Sequence, residues 1–199
     1  IHRDYRFYYM LNLLDGGRQQ IFFSFGLWVL AHKFNLDVTH LTMILIGVNL
    51  INTLIGRRVG KLIDRFGERP MLAAANVLYV VALTGYAFSD NIWVLVACYT
   101  VYSVIFPISW VGANTYLRKI ASHQDIAPSI AMGLTMQHVA AVIVPLATGY
   151  ILNFYGYQIP FMIASAFAVI TMISTRFIDP ATQKSTSRLA EDAAKPVKA

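Results

Sequence analysis

The chain is a series of long apolar runs separated by breaks of a few polar residues, and this alternation restricts its fold more than any other feature. A hydrocarbon core about 30 Å thick takes roughly 20 apolar residues per helix. No water reaches that depth, so a spanning segment must satisfy its own backbone N–H and C=O groups, as a helix does. Five such runs cover 38–56, 71–88, 92–119, 130–154 and 158–178. The breaks carry turn chemistry, as in Ser89-Asp90-Asn91, the stretch 122–129 and the stretch 153–158. Only 13% of residues are charged, against about a quarter in a soluble domain.

The first 33 residues decide the topology. Two apolar stretches flank Asp15-Gly16-Gly17-Arg18-Gln19-Gln20, which alone resembles a loop. Basic residues resolve the ambiguity, because cytoplasmic loops of membrane proteins collect Lys and Arg. If 5–33 is one helix, six helices place both termini on one side. Of the 16 Lys and Arg residues, that side then holds 14, the other side holds Lys33 alone, and Arg18 lies within the first helix. A loop at 15–20 would put Arg3 and Arg6 on the wrong side. The expectation is therefore an all-α membrane protein with six transmembrane helices and both termini cytoplasmic. The polar stretch 179–199 reads as a disordered cytoplasmic tail. The first residue is isoleucine, as expected of a fragment.

Within one helix, Arg18 lies about 18 Å along the axis from Arg6 and about 22 Å from Lys33, near mid-membrane. Asn12, Asp15, Arg18 and Gln19 share roughly 120° of arc. Asp15 and Arg18, three apart, are placed to pair. A charge at that depth costs at least about 2.5–3.5 kcal/mol, so it faces protein or a watery cavity. Two readings stay open: a structural ion pair that locks helix packing, or a cavity-facing substrate or proton site. Asn49, Asn52, Asn114, Gln137 and His138 are further intramembrane polar groups and candidate substrate contacts. The third and sixth helices carry few polar handles, Asn76 being the main one. Pro107 and Pro145 remove backbone hydrogen bonds inside the fourth and fifth helices.

Other functions fit poorly. The net charge of +6 is spread over loops rather than gathered on one face, so nucleic acid is not expected. His32, Asp37 and His40 match no metal-ligand spacing, and neither metal nor cofactor is expected. With the lone cysteine Cys98 and the single membrane histidine His138, an intramembrane enzyme lacks its nucleophile–base pair or metal cluster.

The stretch Gly60-Lys61-Leu62-Ile63-Asp64-Arg65-Phe66-Gly67-Glu68-Arg69 resembles the G-x-x-x-D-R/K-x-G-x-R/K signature of the major facilitator superfamily, with Pro70 where a second basic residue is usual. It lies where the family carries it, between the second and third helices of a six-helix half. In this reading the second helix closes at Gly60, Gly67 supplies the turn, and Asp64, Arg65 and Arg69 form a cytoplasmic gating loop. The stretch from Arg3 to Leu30 resembles the opening helix of the C-terminal half in bacterial members. The resemblance implies the C-terminal half of a twelve-helix transporter. Its first and fourth helices would line the cavity and its third and sixth would face lipid. It implies movement of a small-molecule substrate across the inner membrane by alternating access, with protons as a coupling ion if Asp15 or His138 exchanges one. A ligand sensor or scaffold without turnover is the alternative. The missing partner is an N-terminal six-helix half or a second copy.

Overall fold

A computed structural model describes residues 3–66 and 68–175, with Leu189 and Ala193 of the tail. After a short 3-10 turn at Arg3–Tyr5 come six helices: α1 (Arg6–Phe34), α2 (Val38–Phe66), α3 (Glu68–Phe88), α4 (Ile92–Ile120), α5 (His123–Tyr155) and α6 (Gln158–Thr175). No strand occurs among the described residues. α2 to α5 are long and apolar enough to cross a membrane, and α6 is a shorter apolar helix. α1 runs unbroken through Asp15–Gln20, and its 29 residues span roughly 43 Å. The polar centre from Asn12 to Gln20 interrupts what is otherwise an apolar helix.

Two expected loops are not loops. The second helix does not close at Gly60: α2 continues to Phe66 and α3 resumes at Glu68. Apolar character marks where the bilayer ends, whereas Arg57, Arg58, Lys61 and Arg65 are good helix formers that continue α2 into water. Gly67 lies outside the described residues, as do the side chains of Asp64 and Arg69. Arg65 is exposed, with its guanidinium 5.5 Å from the centre of the Phe66 ring. Likewise 122–129 is mostly helix, because α5 begins at His123 with extended Ser122 as its N-cap. Pro128, five residues in, leaves the exposed Gln124 carbonyl to water rather than ending the helix. The expected tail lies outside the described residues apart from Leu189 and Ala193.

α1 packs mainly on α5 and α6, and α3 on α4 and α6. Two apolar clusters result. One gathers Phe22, Val29 and Leu30 of α1 with Tyr79 and Tyr86 of α3, Tyr102 of α4 and Phe161 of α6. Phe22 stacks on Tyr102 at 3.7 Å between ring centres, and the Tyr86 hydroxyl donates to the Gly26 carbonyl. The other gathers Tyr5, Tyr8, Tyr9 and Leu11 with Tyr116, Leu117 and Ile120 near the opposite end of α1. Among the four spanning helices, α2 and α5 are the least buried. α3 is the most buried, with Asn76 fully enclosed, so α3 is not simply a lipid-facing helix.

At the end of α1, one ammonium ties three turns together. Lys33 Nζ donates to the Ser89 carbonyl (2.7 Å) and the Tyr157 hydroxyl (2.6 Å), and pairs with Asp90 at 2.7 Å. Each of its three N–H donors therefore has a partner. Lys33→Met is expected to loosen that end locally. Faster amide exchange at 89–91 and 156–158, with the helix centres unchanged, is the measurement that checks it. Nearby, Asp37 accepts from the His40 backbone N–H and caps α2; that bond holds its carboxyl below the usual range.

Candidate functional site

Between the two apolar clusters lies a polar layer built from four helices. α1 contributes residues one turn apart, so Asn12, Asp15 and Gln19 share a face and Arg18 lies beside them. Arg18 is buried, with only 2% of its surface exposed. Its Nη2 lies 2.9 Å from Asp15 Oδ1, a contact of charges rather than an aligned hydrogen bond. Nη1 donates to Asn76 Oδ1 of α3 at 3.1 Å, and Nη2 donates weakly to Ser109 Oγ of α4 at 3.5 Å. The guanidinium also lies 3.7 Å from the centre of the Tyr79 ring. A buried Arg needs such planar, directional partners, because its charge cannot be discharged by losing a proton. Asn76 is itself oriented by donating to the Leu72 carbonyl, and Ser109 donates to the Tyr79 hydroxyl.

Asp15 stands differently. Its side chain keeps 15% exposure and borders a crevice of about 10 Å³, room for about one water. The crevice is also bordered by Asn12, Gln19 and Gln137, and by Phe106 and Trp110 of α4. Gln137 Nε2 of α5 donates to Asn12 Oδ1 at 2.9 Å, and Asn12 Nδ2 donates to the Tyr8 carbonyl. The Tyr8 hydroxyl donates to Asn114 Oδ1 at 2.9 Å. One connected network thus joins α1, α4 and α5. Glycines allow that closeness: a Cβ on Gly16 would lie 2.9 Å from Gln137 Cα, and one on Gly133 would lie 2.8 Å from the Tyr8 ring. Towards the near end of α1, Tyr9 donates to Ser129 and Tyr5 to Asp125.

Of the residues singled out from sequence, Asn12, Asp15, Arg18, Gln19 and Gln137 border one crevice, and Asn114 joins it through Tyr8. Asn49, Asn52 and His138 do not border it. Asn49 is exposed and donates to the Leu45 carbonyl of its own helix, Asn52 is half-buried, and His138 is exposed. One residue past Gln137, His138 is turned by about 100° and leaves the shared face. Arg18 borders the crevice but is buried at its wall, 2% exposed and held by α3 and α4, whereas the Asp15 side chain keeps 15% exposure there. Tyr8, Tyr79 and Ser109 were missed. Tyr8 could have been found from its one-turn spacing to Asn12, but Tyr79 and Ser109 look like ordinary residues of apolar helices.

Comparisons with known proteins agree with this architecture. A protein of Bacillus subtilis (strain 168), named "Putative metabolite transport protein YwtG", is 28% identical over an alignment of 142 residues that covers 66% of this chain. The matched region spans 31% of that relative's length. The family model described as Major Facilitator Superfamily matches residues 9–199. With a helical bundle built of membrane-length apolar helices around a buried polar layer, the chain is an integral multi-pass membrane protein and belongs to the major facilitator superfamily.

Proposed function

We propose that this chain is one half of a secondary transporter that moves a small solute by alternating access. The observation that carries the reading is Asp15. It is a carboxyl near the middle of a membrane-length helix, open to a crevice, with its counter-charge Arg18 held behind it by α3 and α4. A charge at that depth is costly, and one left at a crevice has a use beyond packing. The name of the Bacillus subtilis relative, a metabolite transport protein, favours the same reading.

In this reading Asp15, Asn12, Gln19 and Gln137 contact the solute, with Asn114 orienting them through Tyr8. Asp15 is the group that takes up and releases a proton if transport is proton-coupled. Asn49, Asn52 and His138 contribute only if a neighbouring unit folds over the open side of α2 and α5. The poor burial of those two helices supports such a unit, either an N-terminal six-helix half or a second copy. Gly60, Asp64, Arg65, Gly67 and Arg69, at the α2–α3 junction, form the inner-side latch that breaks and re-forms as the halves rock. The bilayer is the inner membrane of a bacterium.

The test uses the complete polypeptide in proteoliposomes holding a pH-sensitive dye, comparing wild type with Asp15→Asn. Solute-dependent proton movement, lost in the variant while the protein still folds, is the expected result. Uptake that continues unchanged in Asp15→Asn would remove Asp15 from the mechanism. Solute binding without flux would replace transport by ligand sensing.

A further inference from the structure

We propose that the crevice on α1, α4 and α5 receives a neutral, hydroxyl-rich solute, such as a sugar or an acyclic polyol. This deepens the transport reading and rests on it for the solute's passage, but not for its binding. Charge comes first. The two ionic groups at the crevice are Asp15 and Arg18, held 2.9 Å apart, and together they carry no net charge. An anion would have to reach a guanidinium that is 2% exposed and already shared among Asp15, Asn76, Ser109 and the Tyr79 face. A cation approaching Asp15 would meet a carboxylate already neutralised by Arg18, with that positive charge directly behind it. Neither kind of ion gains a free opposite charge.

The remaining groups select among neutral solutes. Gln19 and Gln137 present carboxamides, each with donors and an acceptor on one planar group, while the buried Asn12 amide accepts from Gln137 and donates to the Tyr8 carbonyl. A hydroxyl is also donor and acceptor at once, so a row of hydroxyls can satisfy a row of amides without leaving a buried group unpaired. A purely apolar solute would strand those amides. Asp15, its charge balanced, still offers carboxylate oxygen as acceptor for a hydroxyl. On the α4 side, Trp110 is 49% exposed and lies next to Phe106 at the same crevice. An aromatic face, negative at its centre, packs on the C–H side of a saturated ring while the hydroxyls turn to the amides. The crevice itself holds about one water, so the solute rests at its mouth, between the exposed indole and the α1 amides.

The complete polypeptide in lipid nanodiscs is titrated with three sets of probes, following intrinsic tryptophan fluorescence and equilibrium binding of radiolabelled ligand. The sets are pentoses, hexoses, disaccharides and acyclic polyols; small monocarboxylates and dicarboxylates; and quaternary ammonium ions. Saturable binding is expected in the first set. It should weaken at least tenfold in Trp110→Leu and in Gln19→Ala, both of which should keep the wild-type unfolding temperature because neither side chain is fully buried. Proteoliposome flux of the bound probe is then measured. Binding of carboxylates or ammonium ions alone overturns the solute class and leaves the transport reading standing. Sugar binding that ignores both substitutions overturns the site. Sugar binding with the expected variant losses but no flux upholds this inference and overturns transport. No binding or flux in any set overturns both.

Discussion

Arg18→Met is expected to destabilise the protein by about 3–5 kcal/mol, the cost of removing one partner from a buried ion pair. The reason is what it leaves behind. Asp15 is left near mid-membrane without its counter-charge, while Asn76 and Ser109 lose the guanidinium they accept from. The loss spreads over three helices, because Arg18 of α1 is the group that α3 and α4 both hold. Thermal unfolding of the complete polypeptide in detergent measures it. The double variant Asp15→Asn/Arg18→Met should recover much of the loss, since no uncompensated charge remains. Arg18→Lys should not restore the wild-type value. A lysine head cannot reach Asn76 and Ser109 with a planar fork, nor lie flat on the Tyr79 ring 3.7 Å away. An unchanged unfolding temperature in Arg18→Met would show that the polar layer does not hold the helices together.

Gly16→Ala is the second large effect, and its sign is informative. Helix propensity favours alanine over glycine by about 1 kcal/mol. Against this, the new Cβ would lie 2.9 Å from Gln137 Cα and 3.3 Å from the Gln137 side chain. A backbone atom in the neighbouring helix cannot swing aside, so α5 must move away from α1. Overpacking of this kind costs about 1–3 kcal/mol. A net loss of stability is therefore expected. Uptake should fall further than stability does, because the displacement stretches the 2.9 Å Gln137–Asn12 hydrogen bond at the crevice. Gly17→Ala is the matched control. Its Cβ would meet the edge of the Phe167 ring at 3.0 Å, a side chain that can yield, so a smaller change is expected. Equal effects from the two substitutions would argue against α1–α5 contact as the element that positions the amides.

Much of this molecule follows from local rules. The apolar runs and the one-sided distribution of Lys and Arg point to a membrane bundle, and the G-x-x-x-D-R-x-G-x-R spacing to its family. Helical periodicity alone puts Asp15 and Arg18 within reach of each other, and the structure pairs them at 2.9 Å. Helix ends were harder to read. Hydropathy reports where lipid stops, and α2 and α5 extend past that point as helix in water.

What a sequence of this kind leaves open is how each helix is rotated about its own axis and which helix lies beside it. Arg18 meets Asn76 and Ser109 across 58 and 91 residues of chain, and Gln137 meets Asn12 across 125. Nothing within any one of these helices specifies those encounters. They follow from glycine contacts and tyrosine stacking, which set how close and at what rotation the helices pack. The sequence by itself determined the membrane class, the helices and the Asp15–Arg18 pair, because these depend on neighbours along the chain. Tertiary packing alone decided that Arg18 is buried at the crevice wall, that Asp15 keeps some exposure there, and that Asn49 and His138 do not border it.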